Sequence, residues 1–126
     1  NGMGGVEHRM ELIYQGVVQG ELSLERWVET CSTTPARMFG MYPQKGVIAP
    51  GSDADILVWD PNKKTKIGIN DKHHMNMDHS SWEGTVIDGK VDTVLSRGMV
   101  VIENDKYTGR KGHGKFIKRG LCQYLN

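Results

Sequence analysis

Cysteine is scarce in this sequence: two of its 126 residues, Cys31 and Cys122, set far apart. That rules out a small disulfide-stapled scaffold, and two free thiols of a cytoplasmic protein are expected. No apolar run approaches the ~20 residues of a membrane-spanning helix, and no signal-peptide pattern opens the chain, so no membrane partner and no secretion are expected. Aromatic residues are only 7% of the whole. Those in the basic C-terminal region, Tyr107, Phe116 and Tyr124, are too sparse for a base-stacking platform, so no nucleic-acid partner is expected either.

Net charge is also small, at +1, but it is unevenly distributed. Residues 1–60 carry four Lys/Arg against eight Asp/Glu, and residues 61–126 carry twelve against seven. A basic half of this kind reads as a lysine-rich, solvated β surface, or as a surface that meets an acidic subunit. With 37% hydrophobic and 25% charged residues, the chain has the composition of a globular domain.

Residues 1–5, Asn-Gly-Met-Gly-Gly, make a loop whose glycines allow close backbone approach. Val6, Met10, Ile13, Val17 and Val18 then recur at helical spacing, with Glu7, His8, Arg9, Glu11 and Gln15 between them. The pattern predicts an amphipathic helix ending near Gly20. Ser23 stands where an N-cap belongs, ahead of Leu24, Trp27, Val28 and Cys31 on one face of a second helix. Thr34-Pro35 repeats the start signal for a short third helix closed by Gly40.

Residues 45–60 organise the rest of the chain. Gly46, the apolar run 47–49 and Pro50-Gly51 predict a short strand closed by a tight turn, and the run 56–59 predicts a buried strand bounded by Asp55 and Asp60-Pro61. Asp53 and Asp55 flank that strand entry and read as acceptors of backbone N–H groups rather than as a catalytic pair. Residues 64–69 are a weak strand and 70–85 a polar loop. Asp88-Gly89 predicts a hairpin between 86–87 and 90–91. Arg97-Gly98 breaks two further strands, and Glu103-Asn104-Asp105 turns into Lys106-Tyr107.

His73, His74, Asp78 and His79 supply zinc-type donors, but adjacent histidines point to opposite faces of a strand, and no same-face pair fixes a tetrahedron. A polar loop is expected, and no metal. Residues 109–115, Gly-Arg-Lys-Gly-His-Gly-Lys, come close to a phosphate loop, but Phe116 replaces the magnesium-binding hydroxyl and no strand leads in. No complete active site is legible, so no catalytic residue is expected within the chain.

Several segments carry a resemblance. Asn1-Gly2 with Gly5-Val6-Glu7-His8-Arg9, residues 32–36 before Phe39-Gly40, residues 42–46 running into Gly51-Ser52-Asp53-Ala54-Asp55, His73-His74, Glu83-Gly84, and residues 112–117 together resemble the C-terminal part of the dihydropyrimidinase and D-hydantoinase family of the amidohydrolase superfamily. The resemblance implies an α+β piece of a larger protein, since 126 residues fall well short of the ~250 of a complete (β/α)8 barrel. Residues 1–40 would be the last barrel loop and helices, 41–108 the C-terminal share of a β-sandwich, and 109–126 an extended tail on a neighbouring subunit of a homotetramer. The parent would open the ring amide of dihydropyrimidines or hydantoins by metal-hydroxide attack, using two divalent metal ions, usually zinc, with an upstream aspartate as general base and acid. All those ligands would lie upstream, so no cofactor is expected on this stretch and the stretch alone should be inactive. Asn1 alone falls in the family's substrate-contacting loop, where its backbone would hold the ring amide. Non-catalytic relatives that bind protein partners are the alternative parentage.

If residues 1–40 are shaped to cover a barrel, their apolar faces lose that partner in the isolated chain. Self-association, or packing of the helices onto the strands, is then expected.

Overall fold

The computed structural model describes residues 4–71 and 76–125. It is an α+β arrangement in which a helical N-terminal third packs on one four-stranded antiparallel sheet.

Helix α1 spans Arg9–Val18. Helix α2, Leu24–Val28, begins at Ser23, whose hydroxyl accepts the Arg26 N–H at 3.1 Å as an N-cap should. The expected break before a third helix does not occur. A π-helical turn, Glu29–Thr33, runs straight into α3, Thr34–Met38, and Thr34 has helical dihedrals with its N–H on the Glu29 carbonyl. Thr34 is therefore not a cap. Pro35 has no N–H to give the preceding turn, and the wider π turn accommodates it without ending the helix.

Residues 47–49 form no strand. Gly46 instead lies against the helix, where a Cβ would meet Ala36 Cβ at 2.5 Å, and Thr33 Oγ1 donates to the Gly46 carbonyl at 2.7 Å. The Pro50-Gly51 turn is present, with Gly51 at φ 90° and Ser52 N–H on the Ala49 carbonyl at 3.1 Å.

The sheet order is β1 (Ile56–Lys66), β2 (Val86–Ser96), β3 (Met99–Glu103), β4 (Lys106–Tyr107). Strand β1 runs past Asp60-Pro61, where the sequence suggested an end. Its register with β2 slips between Asp60 and Lys64, and Asp60 Oδ1 accepts the Asn62 N–H at 2.9 Å. A proline that cannot donate is tolerated there because β1 is an edge strand. The Asp88-Gly89 hairpin is likewise absent, since both residues lie inside β2. Gly89, at φ 86°, marks a close approach, with a Cβ there lying 2.2 Å from Trp59 Cζ2 and 2.9 Å from Tyr14 Cε1. The true hairpins are those at Arg97-Gly98 and Asn104-Asp105, each with two successive residues at positive φ as a type I′ turn requires.

Tyr14, Trp27 and Trp59 form the hub that joins helices to sheet, with ring centroids 4.7–5.1 Å apart in tilted and edge-on pairs. Cys31, Met10, Ile13 and Val17 pack around it. The expected packing of helices onto strands is thus realised at this hub, while Val18, Leu24 and Val28 stay about half exposed.

The face that α1 buries differs from the periodicity reading. Glu11 and Tyr14 are its buried residues, with buried His8 just ahead of it, and Val6 is exposed. Gln15 accounts for part of this. Its amide Nε2 donates to the Asp88 carbonyl at 2.9 Å and its Oε1 accepts the Asp88 N–H at 3.1 Å. Strand β2 pairs with β3 only from Thr93 onward, so a polar side chain of α1 serves the open edge beyond it.

Candidate functional site

Asn1, the single substrate-contact residue expected, lies outside the described residues, as do His73 and His74. The chain from Gly4 leads into α1 through a first turn closed by the His8 N–H on the Gly5 carbonyl at 3.1 Å. His8 is 1% exposed and Glu11 0%, and His8 Nδ1 lies 3.6 Å from Glu11 Oε2. Sequence reasoning placed both on a polar face. The signal that could have found them is their i, i+3 spacing with Tyr14 three residues further on.

Beside Gly4 and Gly5 stands the connection between β1 and β2. Two backbone bonds tie its ends, Ile67 N–H to the Thr85 carbonyl and Gly84 N–H to the Ile67 carbonyl, both at 2.8 Å, around a fully buried Ile67. Glu83 Oε2 accepts the Ile69 N–H at 3.0 Å. Met77 and Trp82 project from this connection onto the two glycines. Asp78 and His79 form an exposed pair at 2.8 Å, and the imidazole hydrogen bond holds the Asp78 carboxyl below the usual carboxylate range. Among the described residues no three His, Cys, Asp or Glu converge as a metal site would require. These residues therefore do not fit a dinuclear metal centre.

The seam at 45–60 is a charged network. Asp55 Oδ1 accepts the Arg97 backbone N–H at 2.7 Å, as expected of a carboxylate at a strand entry, and its Oδ2 accepts from Lys45. Asp53 differs from expectation: its carboxylate meets side chains, Lys45 Nζ at 2.9 Å and Gln44 Nε2 at 3.0 Å, rather than backbone N–H groups. Arg97 also donates to the His113 carbonyl, and the His113 imidazole bonds the Ser96 carbonyl at 2.8 Å. The segment that mimics a phosphate loop is held there through its histidine. Further on, Gly120 N–H reaches the Gly40 carbonyl at 2.8 Å and Gln123 N–H the Arg37 carbonyl at 3.1 Å. The tail thus touches its own chain at two places.

The described residues thus build a charge-locked seam and, at the entry to α1, two glycines covered by the β1–β2 connection. A family model described as the amidohydrolase family matches residues 3–101. The chain belongs to the amidohydrolase family. Within it, the chain is 56% identical over 125 residues to a D-hydantoinase of Streptomyces coelicolor, covering 99% of this chain and 27% of that protein. A solved D-hydantoinase superposes with a TM-score of 0.91 at 47% identity, over 98% of this chain and 26% of the other. A D-hydantoinase (dihydropyrimidinase) from Thermus sp. gives 0.91 at 40% identity, over 98% and 27%. The chain spans about a quarter of the length of the curated relatives it matches.

The residues matched to the amidohydrolase family, 3–101, include both the helical third and the sheet up to β3, so the hub that joins them lies inside the family region. No described helix is long and apolar enough to cross a membrane.

Proposed function

We propose that this chain is the C-terminal share of a cyclic-amide hydrolase of the dihydropyrimidinase and D-hydantoinase type. The parent opens the ring amide of a hydantoin or dihydropyrimidine. What carries the reading is 56% identity to a D-hydantoinase across 99% of this chain, together with a backbone that superposes on a solved D-hydantoinase at a TM-score of 0.91. On this reading residues 1–40 close a barrel, 41–108 supply the later part of a β-sandwich, and 109–126 contact a neighbouring subunit of a cytoplasmic homotetramer. Two divalent metal ions, zinc, are held by residues upstream of this stretch and supply the attacking hydroxide. This stretch binds and orients, with Asn1 contributing backbone groups to the ring amide.

The test is ring opening by the full-length parent. Hydrolysis of hydantoin or dihydrouracil that is lost on chelation and restored by zinc is expected, with no turnover by the 126-residue chain alone. A parent that folds, binds no metal and opens neither ring would make it a non-catalytic relative and overturn the proposal.

A further inference from the structure

His113 stands between two groups whose chemistry fixes its tautomer. Its Nε2 lies 2.8 Å from the Ser96 carbonyl, which only accepts, so Nε2 carries the proton. Nδ1 then holds a lone pair, and it faces Arg97 Nη2 at 3.5 Å. The same guanidinium nitrogen donates to the His113 carbonyl. Ser96 ends β2 and Arg97 begins the turn into β3, so the ring and the backbone of one residue are gripped at a single corner of the sheet.

The local fold aims the ring at that corner. His113 N–H reaches the Arg110 carbonyl at 3.3 Å across a turn whose third residue, Gly112, has φ 78°, as a type II turn requires. Before this turn, Thr108 is tied to β3 by its N–H on the Val101 carbonyl at 2.9 Å and by its Oγ1 on the Val100 carbonyl at 3.1 Å. Beyond it, Gly120 N–H is fastened to the Gly40 carbonyl. His113 is thus the middle of three fastenings. Between it and Gly120 run Gly-Lys-Phe-Ile-Lys-Arg, residues 114–119, with Phe116 94% exposed.

Protonation reverses the chemistry at one of the two ring nitrogens. An imidazolium has an N–H on both and no lone pair, so Nδ1 would turn a proton on Arg97 and set two cations 3.5 Å apart. The carboxylates beyond Arg97 are already engaged: Asp53 and Asp55 both hold Lys45, and Asp55 also holds the Arg97 backbone N–H. On its own segment the charged neighbours, Arg110, Lys111 and Lys115, are all cations.

We propose that His113 is a pH-sensitive latch, which when neutral fastens residues 109–119 to the β2–β3 turn and when protonated lets them go. Release lengthens the free span from residues 114–119 to residues 109–119, while Thr108 and Gly120 stay moored. The latch holds above the range in which imidazoles titrate, around pH 6.5, and is lost as pH falls through it.

A spin label on Phe116→Cys reads the span in the full-length parent cleared of other exposed cysteines, Cys122→Ser included. Between about pH 8 and about pH 5 carboxylates and ammonium groups in their ordinary ranges keep their charge. Over that interval the ratio of mobile to held label should rise about tenfold, the effect of one lost charge-assisted hydrogen bond. A label on Leu121→Cys, between the Gly120 and Gln123 bonds, should not respond. His113→Gln should abolish the pH dependence, His113→Ala should leave the label mobile at both pH values, and Arg97→Gln should shrink the change by removing the cation. An unchanged ratio in the parent, a pH response that survives His113→Gln, a held label in His113→Ala, an undiminished change in Arg97→Gln, or an equal response at Leu121→Cys would each overturn the latch. None of these measurements reads hydrolysis, so the latch stands or falls apart from the hydrolase reading.

Discussion

Asp55 and Arg97 stand 42 positions apart, and the Asp55 Oδ1 accepts the Arg97 backbone N–H at 2.7 Å. A second bond beside it, Gly98 N–H to the Ala54 carbonyl at 2.9 Å, fastens the β2–β3 turn to the residue before β1's entry. Asp55→Ala removes the acceptor and leaves both Arg97 N–H and Lys45 without it. The side chain is 39% exposed, so water compensates in part, and a loss of about 1–2 kcal/mol is expected. Urea unfolding measures it, and Asp55→Asn should fall between the two. An unchanged midpoint would remove Asp55 from the seam.

Lys45 gives the seam a pH window. Its hydrogen bond, followed by that of Gln44, holds the Asp53 carboxyl below the usual range. For Lys45 itself burial opposes the charge, but the hydrogen bonds it donates to Asp55 and Asp53 outweigh it and push the ammonium pKa up. A depressed carboxylate stabilises above its unfolded pKa of about 3.9, and that share is lost as pH falls through the lower folded value. A raised lysine stabilises below about 10.4, and its share is lost as pH rises through the higher folded value. The seam is therefore strongest between roughly pH 4 and 10. Lys45→Met should flatten the profile of Tm against pH at both ends. A profile merely shifted downward, with both slopes kept, would contradict this.

How far the sequence could be read depended on the range of the interaction that decided each element. The Ser23 cap, the Pro50-Gly51 turn and the break at Arg97-Gly98 are settled within four residues, and all three were legible. Asp88-Gly89 was misread because a contact from Trp59, outside its own strand, turns a hairpin signal into a mid-strand bend. That the polar face of α1 is the buried one was missed for the same reason: Gln15 answers a backbone group 73 positions away. Within the site, the glycines of the entry loop were legible as places of close approach, but nothing local to them points to Trp82.

Ser23 and Thr34 carry the same start signal but differ in structure, and stability should separate them. The Ser23 hydroxyl accepts the Arg26 N–H, whereas the residue ahead of α3 makes no side-chain cap and Thr34 is helical. Ser23→Ala should cost about 1 kcal/mol, and Thr34→Ala should cost close to nothing as a cap. Equal losses in chemical denaturation would show that a break at Thr34 exists in solution.

Gly89 is the most demanding backbone position in the sheet. At φ 86° it lies in the left-handed region, where a side chain strains against its own carbonyl, and the space a Cβ needs is filled by Trp59 and Tyr14. Two penalties therefore act on Gly89→Ala. The conformational one is about 1–2 kcal/mol. The steric one displaces a ring from the hub, and overpacking of that kind costs about 1–3 kcal/mol. Together they predict a loss of about 2–5 kcal/mol, read as a fall in the urea midpoint with loss of near-ultraviolet aromatic dichroism. Trp59→Leu in the same chain should relieve only part of the second penalty, because Tyr14 Cε1 still lies 2.9 Å from the Cβ position and the dihedral strain remains when the indole is gone. Full recovery by Trp59→Leu would show that contact with Trp59 alone demands the glycine, and no recovery would show that the dihedral and Tyr14 demand it without Trp59.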